Sequence, residues 1–275
     1  MPWAPTKIHQ IVQAPLGTST RPLVVGTDAG RAYTKVMGNP EGPSALACDL
    51  LGTRLARWLG LPVLDAVVLD FPEELVVDLG QGCRAQAGPA LLTRAVNGRP
   101  WAGDADDLAL LRNPEALAGM VVLDTWLRNL DRFSESAKRR NLGNVFLSEE
   151  DRRGLDVLAI DHTECVRCGR ELTSRQLRIG EEREAEPYGL FPEFVPYVTP
   201  ARVERYATRL AAFEQADADA VVREIPAAWL DASLRPEVPG FCARRARHVS
   251  AHIMDWLTRA CAWQDRILSP PRGTS

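Results

Sequence analysis

The sequence has no long hydrophobic run, few cysteines and no large excess of charge of either sign. None of its apolar stretches approaches the roughly 20 residues of a transmembrane helix, and its first residues lack a signal-peptide pattern, so we expect no membrane attachment. Six cysteines among 275 residues are too few for a disulfide framework and favour free thiols in a reducing cytoplasm. A formal net charge of -3 argues against direct nucleic-acid binding through bulk positive charge.

The composition is that of an ordinary folded chain, with 45% hydrophobic and 25% charged residues. This balance excludes global disorder and fibrous or collagen-like chains. A chain of 275 residues can bury a full core, as one large domain or as two small ones.

Strand patterns dominate the first third of the chain and helical patterns dominate the rest. The predicted early elements are strands over residues 8–14, 23–26, 32–37, 63–69, 74–79 and 89–95 and a helix over 44–59. The predicted later elements are helices over 106–112, 114–127, 201–213, 216–224 and 241–262, short strands over 141–147 and 156–160, and irregular structure over 181–200. This segregation indicates an α+β fold in two lobes. The polar connector 97–100 predicts a boundary between a lobe of residues 1–97 and a lobe of residues 98–275.

Three polar residues of the later region, Asp131, Asn144 and Asp161, adjoin apolar elements. Asn144 precedes one apolar strand segment and Asp161 ends another, so a hairpin of the two strands places both side chains at one end. Asp131 enters that end from the loop after an apolar helix. Two carboxylates and a carboxamide suit Mg²⁺, with one carboxylate facing a nucleophile, as in phosphoryl transfer. The spacing equally fits a local ion pair of Asp131 with Arg132 and a simple strand end at Asp161.

A second cluster lies upstream, in the strand-rich region. Gly17, Thr18, Ser19 and Thr20 form a loop of small residues, here called the phosphate loop, whose backbone N–H groups can cradle phosphates. Lys35 lies on the second strand of the hairpin that follows, where its ammonium group can contact phosphates as a point charge. Such loops and solvated strand lysines are also common. The upstream cluster therefore indicates phosphate binding only in combination with the cluster of Asp131, Asn144 and Asp161.

Together the two clusters resemble the HipA-like kinases, a branch of the protein-kinase-like and phosphatidylinositol-kinase-like fold. The segments that carry the resemblance are Tyr33-Thr34-Lys35-Val36, Leu55-Ala56-Arg57-Trp58-Leu59-Gly60-Leu61-Pro62-Val63, Asp124-Thr125-Trp126-Leu127-Arg128-Asn129-Leu130-Asp131-Arg132, Gly143-Asn144-Val145-Phe146-Leu147 and Ile160-Asp161-His162. The third segment matches the D-x-W-x-x-N-x-D-R pattern of that family and is quite specific. The resemblance spans about residues 15–260. It implies a two-lobed protein-kinase-like fold with a strand-rich N-lobe, a helical C-lobe, and ATP and Mg²⁺ as cofactors.

The resemblance implies roles for the nucleotide-binding and metal-binding residues. Lys35 would hold the α- and β-phosphates of ATP beside the phosphate loop, and Asn144 and Asp161 would bind Mg²⁺. Asp49 stands on the early helix where a glutamate is expected to pair with Lys35. Because aspartate is one methylene shorter, we expect this ion pair to be absent or bridged by water.

The resemblance also implies a catalytic segment. Asp131 would orient the acceptor hydroxyl and take its proton late in transfer. Asn129 and Arg132 belong to the same segment. Asn129 and Asp124 would fix the loop, while Arg132 would either pair with a neighbouring carboxylate or meet a phosphate.

The spacing of 13 positions between Asp131 and Asn144 is longer than the corresponding spacing in protein kinases. It leaves Asn141 as a rival metal ligand. The extra segment carries Lys138-Arg139-Arg140, which we expect to lie exposed beside the site, where it could dock an acidic acceptor.

We therefore expect an ATP- and Mg²⁺-dependent kinase acting on a Ser or Thr hydroxyl of a protein, which includes its own chain. One alternative is a small-molecule or lipid kinase, because the same fold serves both kinds of acceptor. The other is a nucleotide-binding pseudokinase acting as an interaction module, which the Asp49 substitution and the long segment before Asn144 leave open.

Overall fold

The structure is a computed structural model that describes residues 3–151, 153–166, 171–178 and 186–268. Its strands are β1 (Ile8–Gln13), β2 (Leu23–Thr27), β3 (Gly30–Met37), β4 (Ala66–Phe71), β5 (Asp78–Gly80), β6 (Cys83–Arg84), β7 (Gln86–Arg94), β8 (Gly98–Pro100), β9 (Phe133–Ser134), β10 (Arg139–Arg140), β11 (Val145–Ser148) and β12 (Asp156–Ala159). Its α-helices are α1 (Pro43–Leu59), α2 (Ala105–Ala109), α3 (Glu115–Leu127), α4 (Ser174–Leu177), α5 (Pro200–Ala211), α6 (Gln215–Glu224) and α7 (Glu237–Leu268). Short 3-10 helices cover Glu73–Leu75, Leu142–Asn144 and Pro192–Tyr197.

The first part of the chain forms a five-stranded antiparallel sheet in the order β1-β2-β3-β7-β4. Successive residues of a strand point to opposite faces, and β3 shows this alternation. Ala32 and Val36 enter a small core on one face. Tyr33 and Lys35 lie on the other face, which is the face that α1 approaches.

Helix α1 lies between the sheet and the helical part of the chain. Pro43 is tolerated in its first turn, where backbone N–H groups have no helical partner. Gly60 ends the helix in a left-handed conformation with φ 87°, which favours glycine. Most of α1 is buried, including Leu46 and Leu50, and it belongs to the large core, which also contains Leu91 of the sheet.

The later part of the chain is built around α3. Every residue of α3 from Ala116 to Leu127 is buried, as a helix that is apolar on all sides requires. Helices α5 and α7 pack against α3, and α6 packs against α7. The predicted catalytic segment, residues 124–132, starts in the last turn of α3 and continues beyond it. Among the described residues, no helix is both long and apolar enough to cross a membrane.

The predicted fold class, α+β with strands first and helices later, is confirmed. The predicted hairpin is also present, because β11 pairs antiparallel with β12 and Val145 lies opposite Ala159. The first of its strands is shorter than predicted, since Leu142–Asn144 forms a 3-10 turn ahead of it.

Three further segments differ from prediction. The connector 97–100 contains β8, because its backbone pairs with β11 although its residues carry no strand pattern. The strand predicted over 74–79 is a 3-10 turn followed by β5. The segment expected to be irregular contains the helix Pro192–Tyr197, while its residues 181–185 lie outside the described residues.

Candidate active site

A cavity of about 790 Å³ lies between the five-stranded sheet and the β11–β12 hairpin. Its charged lining comprises five carboxylates and three basic side chains, those of Glu41, Asp49, Asp131, Asp161, Glu164, Lys35, Arg94 and Arg139. The predicted site residues that line it are Thr18, Ser19, Lys35, Asp49, Asp131, Asn144 and Asp161. Apolar residues such as Leu16, Leu91 and Phe146 complete the wall. A concave pocket with apolar walls and a few convergent charged groups is typical of a small-molecule site.

Lys35 on β3 is held between two carboxylates. Its Nζ lies 2.7 Å from Asp49 Oδ2 on α1 and 2.9 Å from Asp161 Oδ1 beyond β12. Burial alone would lower the pKa of Lys35, but the carboxylates of Asp161 and Asp49 outweigh burial and raise it above its usual value. Lys35 therefore carries its positive charge at neutral pH.

The ion pair of Lys35 with Asp49 is direct, so the prediction that it would be absent or water-bridged is wrong. The shorter side chain reaches because α1 lies close to β3. Asp49 Oδ1 also accepts the backbone N–H of His162 at 2.9 Å. Gly52 allows this approach, because any side chain there would collide with the imidazole of His162. The carboxylate of Asp49 on α1 thus contacts both β3 and the segment after β12. The substitution of glutamate by Asp49 does not remove the ion pair with Lys35.

Asp131 lines another part of the cavity wall, with one carboxylate oxygen engaged by two amides. Its Oδ2 accepts hydrogen bonds from Asn141 Nδ2 at 2.9 Å and from Asn144 Nδ2 at 3.0 Å. Its Oδ1 lies 3.7 Å from Arg139 Nη1 and has no hydrogen bond from the described residues. Oδ1 is therefore the oxygen that can accept a proton from a ligand hydroxyl.

Asp161 follows β12 in a left-handed conformation with φ 55°. This conformation is uncommon for residues with a side chain and recurs at functional sites. Thr163 Oγ1 donates to Asp161 Oδ1 at 2.9 Å, a contact that the sequence motif, which ends at His162, did not suggest. Burial would raise the pKa of Asp161, but the charge and hydrogen bond of Lys35, with the hydrogen bond of Thr163, hold it below its usual value. Asp161 is therefore a carboxylate at neutral pH.

Arg132 and Asn129 lie behind the cavity wall. Both are fully buried and neither lines the cavity, which agrees with the loop-fixing role expected for Asn129 and with the carboxylate-pairing alternative for Arg132. Arg132 Nε donates to Asp124 Oδ2 at 2.7 Å, and Asn129 Nδ2 donates to Asp124 Oδ1 at 3.1 Å. The other guanidinium nitrogens of Arg132 donate to the carbonyl oxygens of Asn144 and Ile160. Arg132 pairs with a carboxylate and positions two segments of the site.

Only two of the four residues of the phosphate loop line the cavity. Thr18 and Ser19 line it, whereas Gly17 is exposed outside its lining and Thr20 is buried. Arg21 donates from Nη1 to a carbonyl oxygen of β5 at 3.2 Å, which anchors the end of the loop. Loop composition alone could not separate the two residues that face the cavity from the two that do not.

Mg²⁺, which the family resemblance implies, fits the oxygen atoms at the end of the β11–β12 hairpin. The register of the two strands brings Asn144 and Asp161 to this end. Asn144 gives its Nδ2 to Asp131, so its amide oxygen points away from that carboxylate. Within the described ranges, no three His, Cys, Asp or Glu side chains form a metal cluster. This donor set suits Mg²⁺, which takes one or two protein carboxylates and completes its shell with water and substrate phosphates.

Asn141 and Asn144 make the same contact with Asp131, so that contact does not distinguish them as metal ligands. Arg132 fixes both backbones, because its carbonyl accepts the N–H of Asn141 and its guanidinium group donates to the carbonyl of Asn144. The two asparagines differ in their place relative to the hairpin. The strand register brings Asn144 to the end where Asp161 lies, and this favours Asn144.

His162 is fully buried, and neither of its ring nitrogens has a hydrogen-bond partner among the described residues. Burial and the positive charge of Arg132 lower the pKa of His162 from 6.5 to about 4, against the opposing influence of Asp49 and Asp161. As the pH falls from about 6.5 to 4, the unfolded chain therefore gains a proton that the folded chain does not. We expect the free energy of unfolding to fall by about 3 kcal/mol over this interval because of His162.

Urea unfolding in the presence of EDTA, at about pH 7 and about pH 4.5, measures this effect. We expect His162→Leu to lose much less stability on acidification than the wild type. His252→Leu is the matched control, because His252 is exposed on α7, and it should keep the pH dependence of the wild type. Equal pH dependence in His162→Leu and the wild type would contradict the expectation.

No protein-family model and no curated protein matches the sequence. The fold does match solved structures. The crystal structure of CtkA, a proinflammatory kinase of Helicobacter pylori, is similar over 94% of this chain and 96% of that chain, with a TM-score of 0.54 and 11% sequence identity. A toxin–antitoxin complex of HipA, HipB and operator DNA from Shewanella oneidensis contains a chain that aligns over 90% of this chain and 67% of its own, with a TM-score of 0.44 and 10% identity. The likeness to CtkA shows that the chain has a protein-kinase-like fold.

Proposed function

We propose that the protein is an ATP- and Mg²⁺-dependent phosphotransferase with a hydroxyl group as acceptor. The observation that carries the proposal is the convergence of Lys35, Asp161 and Asp131 on one cavity of a protein-kinase-like fold. A cation for phosphates, a carboxylate for a metal and a carboxylate with an open oxygen are the parts that phosphoryl transfer requires. In this proposal ATP binds between an N-lobe of residues 1–97 and a C-lobe of residues 98–275.

Each residue then has a defined task. Lys35 binds the α- and β-phosphates, and Asn144 and Asp161 hold Mg²⁺. When bound, the ion neutralises negative charge on the transferred phosphoryl group. Asp131 Oδ1 accepts the hydrogen of the acceptor hydroxyl, orients its oxygen toward the γ-phosphoryl group and takes the proton late in transfer. The backbone of the phosphate loop covers the phosphates at Thr18 and Ser19.

We propose a Ser or Thr side chain of a protein as the acceptor. Residues 135–140, which lie beside Asp131 in the fold, are exposed, and this supports access by an extended segment of a protein. We place the reaction in the cytoplasm, with ATP and the acceptor protein as partners and without direct nucleic-acid binding.

The deciding experiment is incubation of the purified protein with γ-labelled ATP and Mg²⁺, alone and with cell lysate, followed by mass spectrometry of phosphosites. We expect labelled Ser or Thr residues on the protein itself or on lysate proteins, and no labelling with EDTA. A folded protein that labels no acceptor and consumes no ATP would contradict the proposal. Labelling of a small metabolite alone would select the small-molecule alternative.

We expect Asp161→Asn to lose most of the thermal stabilisation that Mg·ATP gives. A ligand at 100 times its Kd stabilises the fold by about 2.7 kcal/mol, so the wild-type melting temperature should rise by roughly 5 °C. The variant removes the carboxylate that binds the metal. Differential scanning fluorimetry, with and without Mg·ATP, measures the shift.

Asp156→Asn is the matched control, because Asp156 lies on β12 and pairs with Arg112 outside the cavity lining. It should keep the full shift. A full shift in Asp161→Asn would show that its carboxylate does not hold the metal.

A further inference from the structure

The basic run Lys138-Arg139-Arg140 lies at a two-stranded ribbon beside the cavity. β9 and β10 form the ribbon, with Arg139 opposite Ser134 and Arg140 opposite Phe133. The expectation that this run is exposed is confirmed. Because neighbouring residues of a strand point to opposite faces, Arg139 and Arg140 meet different surroundings.

Arg140 holds the ribbon in place. Its Nη2 lies 2.7 Å from Glu193 Oε1, and its guanidinium group lies 5.5 Å from the ring centre of Phe191. The backbone N–H of Asn141 donates to the carbonyl of Arg132 at 2.9 Å and fixes the end of the ribbon. The contacts of Arg140 and Asn141 therefore fix the backbone that carries Arg139.

Arg139 is on the cavity side of the ribbon. It lines the cavity, its side chain is 61% exposed, and its Nη1 lies 3.7 Å from Asp131 Oδ1. This distance is longer than a hydrogen bond, and ion pairs at such exposed positions are weak. The planar guanidinium group can therefore accept a second carboxylate, which it binds through two parallel hydrogen bonds.

The other basic residues of the cavity are placed differently. Lys35 is held by two carboxylates at hydrogen-bond distance. Arg94 lies at the end of β7, between Asp65 at 3.9 Å and Glu150 at 3.7 Å. Arg139 is the basic residue that lies beside the oxygen assigned to the acceptor hydroxyl.

We propose that Arg139 makes the site selective for Ser or Thr residues that have an aspartate or glutamate close by in the acceptor segment. This inference rests on the proposed function and assigns a substrate class to the same site. The acidic side chain of the acceptor pairs with Arg139, and this contact draws the guanidinium group away from Asp131 and brings the hydroxyl to Oδ1. Arg139 is a specificity-determining residue.

A positional-scanning library of Ser and Thr peptides, with Asp or Glu, a neutral residue or Lys at each flanking position, tests the inference with labelled ATP. We expect the wild type to phosphorylate the preferred acidic peptides with a kcat/KM about five-fold above that of neutral peptides, as one exposed ion pair allows. Arg139→Gln should remove this preference, so that its kcat/KM on acidic peptides no longer exceeds its kcat/KM on neutral peptides. Arg153→Gln, a change at an exposed arginine outside the cavity lining, should behave as the wild type.

Charge reversal provides the stricter test. Arg139→Glu should prefer peptides with Lys at the same flanking positions, and the preference should weaken as salt is added. A wild type without acidic preference, or an Arg139→Gln variant slowed equally on all peptides, would overturn the inference. A wild type that consumes ATP but phosphorylates no peptide would overturn this inference and leave phosphotransfer standing. Absence of any ATP consumption would instead count against the proposed function itself.

Discussion

We expect Asp131→Asn to lower the rate of phosphoryl transfer by about 10²- to 10⁴-fold, the usual contribution of a general base. Asparagine keeps a carbonyl oxygen that can accept from Asn141 and Asn144, which both contact Asp131 Oδ2. It loses the second oxygen, which accepts the hydroxyl proton in the proposed mechanism. Nucleotide binding does not use this oxygen, so the rise in melting temperature with Mg·ATP should remain.

Rates of label transfer and melting temperatures, measured on the same preparations, test this expectation. Asp161→Asn is the comparison variant, because it should lose the thermal shift that Asp131→Asn keeps. Transfer at the wild-type rate in Asp131→Asn would contradict its role as the base. A wild type that shifts with Mg·ATP and transfers no phosphate would identify the protein as a nucleotide-binding pseudokinase.

The second large effect concerns stability. We expect Arg132→Met to lower the free energy of unfolding by about 3–5 kcal/mol, the usual cost of breaking a buried ion pair from one side. Arg132 and Asp124 are both fully buried, with Nε and Oδ2 2.7 Å apart. Methionine fills part of the space but leaves the carboxylate of Asp124 without its charge partner. Urea or guanidinium unfolding measures the loss.

Two further variants show whether the loss comes from the uncompensated charge. Adding Asp124→Asn to Arg132→Met removes the stranded carboxylate and should recover part of the stability. Arg57→Met breaks an exposed ion pair with Asp65, whose atoms are 3.1 Å apart, and should cost about 1 kcal/mol or less. Equal losses in Arg57→Met and Arg132→Met would contradict this interpretation.

The order of elements is readable from the sequence because buried elements carry strong local patterns. The apolar run before Arg128 predicts α3, and the helix predicted over 44–59 matches the ends of α1 to within one residue. The order of strands within the sheet is not readable. β7 lies between β3 and β4 although β4 precedes it in the chain, and such neighbours are set by packing between distant segments. For the same reason the sequence of β8 suggests a linker, because β8 is a strand only through its pairing with the distant β11.

Residue types beside apolar strands and after an apolar helix were sufficient to group Asn144, Asp161 and Asp131 as candidates. Distances were not predictable in the same way. The reach of Asp49 to Lys35 depends on how closely α1 approaches β3, which no local pattern records. The direction in which Arg139 points depends on the register of a two-residue strand, which is too short to show a period.

The carboxylate of Asp49 has a consequence for communication across the molecule. It holds the ammonium group of Lys35 with one oxygen and the backbone N–H of His162 with the other, so a shift of α1 changes both contacts at once. In the proposed function Lys35 binds phosphates, so a factor that holds α1 in this position from outside would strengthen that binding. By thermodynamic reciprocity, phosphates at Lys35 strengthen the binding of that outside factor by the same ratio.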